Sequence, residues 1–306
     1  MSKESHDAAA ARLRQQISTF NKPWFRSCSA VLDTLEIKGG RCLDLCSGNC
    51  EYAVILRDRY GMEVVCADYI PLHLEQARQE GFATIQLDLD GDSTTIDQAI
   101  AEYHKSFDLV VNLAAVEHVF CSDNLMQVAH AVLKPQGQFV INTPNIGFLA
   151  YRIYSALNGN RPYGEGHHIR FWDFRFLRTC LFFNGFTVTG DFRRFYSLPE
   201  EILLRTFRGR SSLARWVARL FYSCFLFQKV SFCRGWATDE LTLLCRKESV
   251  RPVSFDYLAI KDVLESNDPD REDEQKMIIG RLREAKERGW LKEHIYLSKL
   301  IDAHLV

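Results

Sequence analysis

Polar residues able to bind or react stand at the downstream ends of four apolar runs. The first run closes with Leu43-Asp44-Leu45-Cys46-Ser47-Gly48-Asn49-Cys50. Small residues there let the backbone approach a ligand, and Asp44 adds a carboxylate suited to a ligand amino group. The second run ends in Ala67-Asp68-Tyr69, with Asp68 twenty residues after Gly48. A carboxylate at that place can accept hydrogen bonds from both hydroxyls of a ribose. The third ends in Asp88-Leu89-Asp90, where a polar group can meet an adenine amino group, and either aspartate suits that role. The fourth passes from Asn112 to Glu117-His118. A further segment, Tyr163-Gly164-Glu165-Gly166-His167-His168, sets two imidazoles among glycines, a composition fit for a loop that closes over a substrate. Imidazole changes charge near neutral pH, so His118, His167 and His168 are the candidate general bases.

These groups act together only if the chain brings the four run ends to one edge, and the intervening pattern says that it does. Arg41 to Leu45, Glu63 to Asp68, Phe82 to Asp88, Phe107 to Leu113 and Gln138 to Asn142 read as buried strands. Between them lie helical segments: one stopped by Gly61, one opened by Pro71 and closed by Gly81, one over residues 93–103, and one capped by Ser122 and running to Leu133. Lys134-Pro135-Gln136-Gly137 reads as a turn before the fifth strand. Strands alternating with helices imply a parallel sheet covered on both faces, and ligands of such sheets bind beyond the carboxyl ends of the strands. Further on, Phe148 to Leu157 reads as an amphipathic helix, and Asp173 caps a helix ending at Gly185. Strands follow at Phe186 to Phe192 and Glu240 to Cys245. The expected architecture is therefore α/β, with a doubly wound, mostly parallel seven-stranded sheet.

Around it, residues 1–38 form an N-terminal helical segment broken at Pro23, and residues 39–248 the ligand-binding domain. Residues 197–235 are an aromatic and basic helical insertion, and residues 249–306 a linker and C-terminal helices. In that tail Glu272–Lys276 and Glu284–Arg288 are favourable i,i+4 pairs, and Ile278, Leu282 and Ala285 form an apolar stripe. Arg205, Arg208, Arg210, Arg215 and Arg219 with Trp216 and Phe221 read as a lid, or as a peripheral membrane contact through 205–234.

Composition removes several function classes. A formal net charge of -1 argues against nucleic acid as a partner. The ten cysteines are scattered and lack C-x-x-C spacing, so neither a disulfide framework nor a zinc site is expected, and the chain reads as cytoplasmic. Cys46 has no histidine near it in sequence to make it a thiolate nucleophile. No apolar stretch of membrane-spanning length occurs. A nicotinamide dehydrogenase would carry G-x-G-x-x-G after the first strand, whereas this loop holds one glycine with an acid before it.

The ordered series Leu43-Asp44-Leu45-x-x-Gly48, Ala67-Asp68, Asp88, Phe107-Asp108-Leu109-Val110, Val116-Glu117-His118-Val119 and Leu133-Lys134-Pro135-Gln136-Gly137 resembles the motifs of class I S-adenosylmethionine-dependent methyltransferases. The Glu-His-Val form is similar to ubiquinone-biosynthesis-type O-methyltransferases. Asn142-Thr143-Pro144-Asn145 with His168-Ile169-Arg170-Phe171-Trp172 resembles glycan-associated relatives. The resemblance implies S-adenosylmethionine as cofactor. Asp44 with Cys46, Ser47, Gly48 and Asn49 would hold its methionine part and Asp68 its ribose, with Tyr69 beside it. Asp88 and Leu89 would flank the adenine, Asn112 would line the methionine side, and Glu117 would also contact the cofactor. It also implies a small-molecule, glycan or lipid-linked acceptor, methylated at oxygen. The family usually has glycine at positions 46 and 50; with an ordinary backbone conformation, Cys46 fits the loop. The same two cysteines are the best support for the rival reading, a catalytically inactive methyltransferase-fold protein that binds a partner through its C-terminal helices.

Overall fold

In the computed structural model, which describes residues 22–159, 168–193 and 234–291 with Ser212 and Trp216 as isolated positions, seven strands form one sheet in the order β3-β2-β1-β4-β5-β7-β6. They are β1 Arg41–Leu45, β2 Glu63–Asp68, β3 Ala83–Gln86, β4 Phe107–Leu113, β5 Leu133–Pro144, β6 Phe186–Asp191 and β7 Glu240–Lys247. The first five pair in parallel, whereas β7 runs antiparallel to both β5 and β6. The doubly wound, mostly parallel seven-stranded sheet read from the sequence is thus the one formed.

The period of two in a strand divides the core between the two faces. Leu43, Leu45, Val65, Ala67, Val110 and Phe139 enter one cluster with Ile96 and Ile100 of helix Ser93–Ile100 and Leu125 and Met126 of helix Ser122–Val132. Cys42, Val64, Cys66, Leu109 and Val111 enter the other, beneath helices Pro23–Thr34 and Glu51–Tyr60. Each fully buried aliphatic side chain contributes roughly 1.5–3 kcal/mol of transfer free energy. Asp44 shares the face of Cys42, and so lies under the first turn of helix Glu51–Tyr60.

Two local expectations are corrected. Ser122 is the first residue of its helix; the N-cap is Cys121, without a side-chain cap bond. Ser122 is itself buried in the first turn. The Lys134-Pro135-Gln136-Gly137 segment belongs to β5 instead of preceding it. Leu133 pairs with Phe107 and Gln138 with Leu109, so the extra residues form a bulge with Gln136 at φ 62°. The segment keeps its pairing on both sides, because Leu133 is fully buried and anchors the start.

The C-terminal helices Tyr257–Leu264 and Glu272–Glu287 pack on helix Phe174–Phe183. Ile278, Leu282 and Ala285 are buried there with Phe182 and Phe183. Both expected ion pairs form, Lys276 with Glu272 at 2.6 Å and Arg288 with Glu284 at 2.5 Å. The aromatic insertion expected over 197–235 falls almost wholly outside the described residues, as do residues 1–21 of the N-terminal segment. Among the described residues no helix is long and apolar enough to cross a membrane.

The Phe174–Phe183 helix ends against β6 through Gly185, at φ 84°. A Cβ there would stand 2.7 Å from the His130 ring. That ring cannot easily yield: it is buried, and its Nε2–H donates to the Glu248 carbonyl at 3.0 Å. Burial pushes the His130 pKa down to about 4, which keeps it neutral. Gly185→Ala combines left-handed strain with overpacking and is expected to lower the unfolding free energy by about 2 kcal/mol. Urea denaturation checks this as a lower midpoint at unchanged slope.

Candidate active site

The chain order of the strands reverses direction between β1 and β4, and the crevice above their carboxyl ends is where the predicted polar groups meet. Asn112 Nδ2 donates to the Leu45 carbonyl at 2.9 Å across that seam. Its Oδ1 is buried without a protein partner. Asp44, 3% exposed, is approached by the Ala53 backbone N–H at the helix start, yet its Oδ2 is likewise buried and unpartnered. Such an orphaned polar atom costs about 1–3 kcal/mol. Burial, followed by the Asp68 charge, raises the Asp44 pKa to about 7, against the lowering effect of the Ala53 bond. Two buried acceptors without donors at one crevice suit a ligand that brings donors and positive charge. S-adenosylmethionine, with an ammonium and a sulfonium, meets both demands.

The loop between β1 and its helix corrects the expectation for Cys46. Cys46 at φ 64° and Cys50 at φ 53° both adopt the left-handed conformation, as does Gly48 at φ 51°. The cysteines therefore occupy positions whose backbone favours glycine, at a cost of roughly 1–2 kcal/mol each. The main chain keeps the glycine-type path, and space remains: a Cβ built on Gly48 meets nothing within 4 Å. Burial, with Asp68 and Asp44 nearby, drives the Cys46 thiol pKa far up, so it is no nucleophile.

Asp68 ties this loop to the next. Its Oδ2 accepts from Gly48 N–H and its Oδ1 from Ile70 N–H, both at 2.9 Å. His73 Nδ1 lies 3.3 Å from the same Oδ1. Beyond it Tyr69 is exposed, as is Asn49, while Ser47 is half-buried. Of the two candidate adenine-side aspartates, Asp88 is exposed and accepts the Asp90 N–H at 3.0 Å. Asp90 reaches across to accept the Cys121 N–H at 2.8 Å. Leu89 is buried in the core cluster.

Glu117, an expected cofactor contact, is buried just beyond β4. Its Oε2 accepts the Thr143 hydroxyl at 2.9 Å, and its backbone carbonyl accepts the N–H groups of Ile169 and Arg170 at 3.0 and 3.1 Å. Those bonds bring the buried His168 to the end of β4. There its ring meets that of the exposed His118 edge-on, with centroids 4.7 Å apart. One ligand atom from each of Glu117, His118 and His168 lies within 4.8 Å of the others. His167 lies outside the described residues. Two partners escaped the sequence reading. His73 sits beside Asp68 and was hidden among the polar residues of helix Pro71–Gln79. Thr143 orients Glu117; the Asn-Thr-Pro-Asn run could have flagged it.

A family model described as a methyltransferase domain matches residues 17–190. Over 120 residues the chain is 35% identical to the ubiquinone biosynthesis O-methyltransferase of Brucella ovis, covering 38% of this chain and 46% of that protein. Over 91 residues it is 36% identical to the enzyme of the same name from Ruegeria pomeroyi, covering 28% and 34%. The chain thus spans about half the length, or less, of the curated relatives it matches. Among solved structures, the fold is similar to a chain in the complex between the Haloferax volcanii Trm112 methyltransferase activator and a methyltransferase. The TM-score is 0.50 at 15% identity, over 79% of this chain and 97% of that one.

Two predictions follow from the crevice. Cys46→Gly is expected to leave stability and ligand affinity within about 1 kcal/mol of the parent. Cys46→Val, branched at a left-handed position, is expected to lower stability by more than about 1 kcal/mol; thermal unfolding separates the two. The second concerns pH. Because the folded state raises the Asp44 pKa to about 7, it holds a proton that the unfolded chain has released above about pH 4. Stability therefore falls as pH rises from about 4 to 7. A cation at Oδ2 favours the ionised form, so affinity for S-adenosylmethionine should climb across about pH 5–7 and then level off. Titration calorimetry over that range should show the climb in the parent and its loss in Asp44→Asn.

Proposed function

The chain belongs to the methyltransferase-domain family, and from that premise we propose that it moves the methyl group of S-adenosylmethionine to an oxygen of a small-molecule, glycan or lipid-linked acceptor. The observation that carries the reading is the pairing of two chemistries at one sheet edge. Unpartnered acidic and amide oxygens lie over β1 and β4, and a carboxylate–imidazole cluster lies at the end of β4. The relatives named as O-methyltransferases support oxygen as the acceptor atom.

The bound cofactor supplies an electrophilic methyl on a sulfonium. Asp44 and Asn112 offer their free oxygens to its ammonium end. Asp68 stands where the ribose hydroxyls arrive, and holds the Gly48 and Ile70 amides in place. Alignment of donor and acceptor is the main catalytic task, since in-line displacement at a methyl group gains mostly from positioning. An oxygen acceptor must also lose its proton, and the cluster of Glu117, His118 and His168 is where that proton leaves. The possible membrane contact through 205–234 remains an expectation for lipid-linked acceptors, resting on that segment's arginines and aromatics.

Asp68→Ala is expected to abolish measurable binding of S-adenosylhomocysteine. His168→Ala should bind it as the parent does, but lose roughly 10²–10⁴-fold in turnover. Calorimetry reports the first. Transfer of labelled methyl groups into fractionated cell extract reports the second and locates the acceptor. A parent protein that binds no cofactor by calorimetry would favour the inactive, partner-binding reading.

A further inference from the structure

We propose that a cavity between β6, helix Phe174–Phe183 and the end of helix Glu272–Glu287 binds a phosphoryl oxyanion, free or carried by a small molecule, with Arg178 as its principal contact. The cavity has a volume of about 300 Å³ and is lined by β6 together with Phe174, Arg178, Phe182, Arg288 and Trp290. That is the size of a small-ligand pocket. β6 lies four positions from β1 in the sheet, roughly 19 Å at the spacing of paired strands, so this is not the crevice over β1 and β4. The inference stands independently of the methyltransferase reading.

Three guanidiniums gather at the cavity on a ladder of aromatic rings. Arg193, just beyond β6, lies 3.8 Å from the Phe174 ring centroid. Arg178 lies 5.2 Å from the same ring and 4.1 Å from that of Trp290, and Arg288 lies 4.9 Å from Trp290. Stacking of this kind fixes each planar fork before a ligand arrives, so little side-chain entropy remains to be lost on binding. The outer two are already paired, Arg193 with both oxygens of Asp191 at 2.8 and 2.6 Å, and Arg288 with Glu284 at 2.5 Å. The middle one is different. Among the described residues no carboxylate pairs with Arg178, and its Nε is buried without a hydrogen-bond partner. Burial pushes its pKa down, and so do the neighbouring charges of Arg175, Arg193 and Arg288, all of them positive. A half-buried cation among cations is costly, and an anion completes it. Arg281, stacked on Phe182, is by contrast answered within the protein: it donates to the Phe182 carbonyl and lies near the charges of Glu284 and Glu248.

The arrangement selects the kind of anion. The guanidiniums come from three elements, and a tetrahedral oxyanion can meet donors from several directions, whereas a planar carboxylate is satisfied by one fork. Thr187 adds a hydroxyl to the wall. The cavity is larger than a bare oxyanion, and its aromatic lining suits an organic group on the phosphate. Bound there, the anion ties helix Phe174–Phe183 to the C-terminal helix and stabilises the folded state as its concentration rises.

The test uses the full-length protein and two probes at constant ionic strength, inorganic phosphate and glycerol 3-phosphate, followed by calorimetry and thermal unfolding. At least one of them should bind at a single site and raise Tm. Arg178→Gln should weaken that binding at least about tenfold and Arg288→Gln about threefold. Arg178→Lys, which keeps the charge without the fork, should fall between the parent and Arg178→Gln. Circular dichroism identifies a variant that has not folded, and the half-exposed Arg288 decides the question if Arg178→Gln fails to fold. Tighter binding of glycerol 3-phosphate supports the site as one for a phosphomonoester; equal or weaker binding supports it as one for free phosphate. The proposal is overturned if neither probe binds the parent saturably, or if acetate binds as tightly. Binding undiminished in Arg178→Gln, or in Arg288→Gln where the other variant is unfolded, also overturns it. Displacement of the anion by S-adenosylhomocysteine does so too, because it places the anion over β1 and β4. Binding of S-adenosylhomocysteine to the parent is measured separately, and its failure sinks the functional reading alone.

Discussion

A single carboxylate holds the ligand edge of the sheet in shape. Asp68 ends β2, is 7% exposed, and takes one backbone amide from each of two loops, Gly48 from the first and Ile70 from its own. Charge-assisted bonds of this kind are about twice as strong as neutral ones, and burial keeps water from competing for them. The left-handed path through residues 46–50 depends on that grip, because two of its strained positions are not glycine. In the proposed function the same oxygens receive the ribose, so the group that organises the free protein would also be the one the ligand engages.

Electrostatics at this edge are deliberately incomplete. Asp44 and Asn112 each bury an oxygen that no protein donor reaches, and Asp44 lies close enough to Asp68 for the two charges to oppose each other. Within a protein interior such groups are costly, and they persist where a ligand completes them. At the far end Glu117 has one carboxylate oxygen tied to Thr143 and its carbonyl to the 168–170 segment. One end of the crevice therefore suits positive charge, and the other gathers a carboxylate and two imidazoles.

The scaffold explains how the two ends stay at a fixed spacing. β4 carries Asn112 within the sheet and Glu117 just beyond it, while β5 supplies Thr143 beside its Asn142 contact to Thr242 at 2.7 Å. The antiparallel β7 covers β5 over seven paired positions, from Gln138 to Pro144, which keeps that side of the site off the sheet edge. Behind β6, the C-terminal helices buttress helix Phe174–Phe183 through Phe182, Phe183, Ile278 and Leu282. That helix starts just after the His168–Trp172 segment, so packing far from the crevice bears on where His168 stands.

The alternation of apolar runs with helix starts and stops was enough to determine the class of sheet, its strands to within a few residues, and the run ends that carry Asp44, Asp68, Asn112 and Glu117. Those features are local: side-chain period, a proline at a first turn and a glycine past a last one act over a few residues. Tertiary structure decided the rest. Cys46 and Cys50 take left-handed backbone because Asp68 and the sheet hold the loop. The Lys134–Gly137 segment became a bulge because Leu133 is anchored against Phe107. Glu117 meets the His168 segment because the fifty residues of intervening chain return beside β4. Each of these outcomes depends on contacts between residues distant in sequence, where the energy of the pairing overrides what either partner's neighbours prefer.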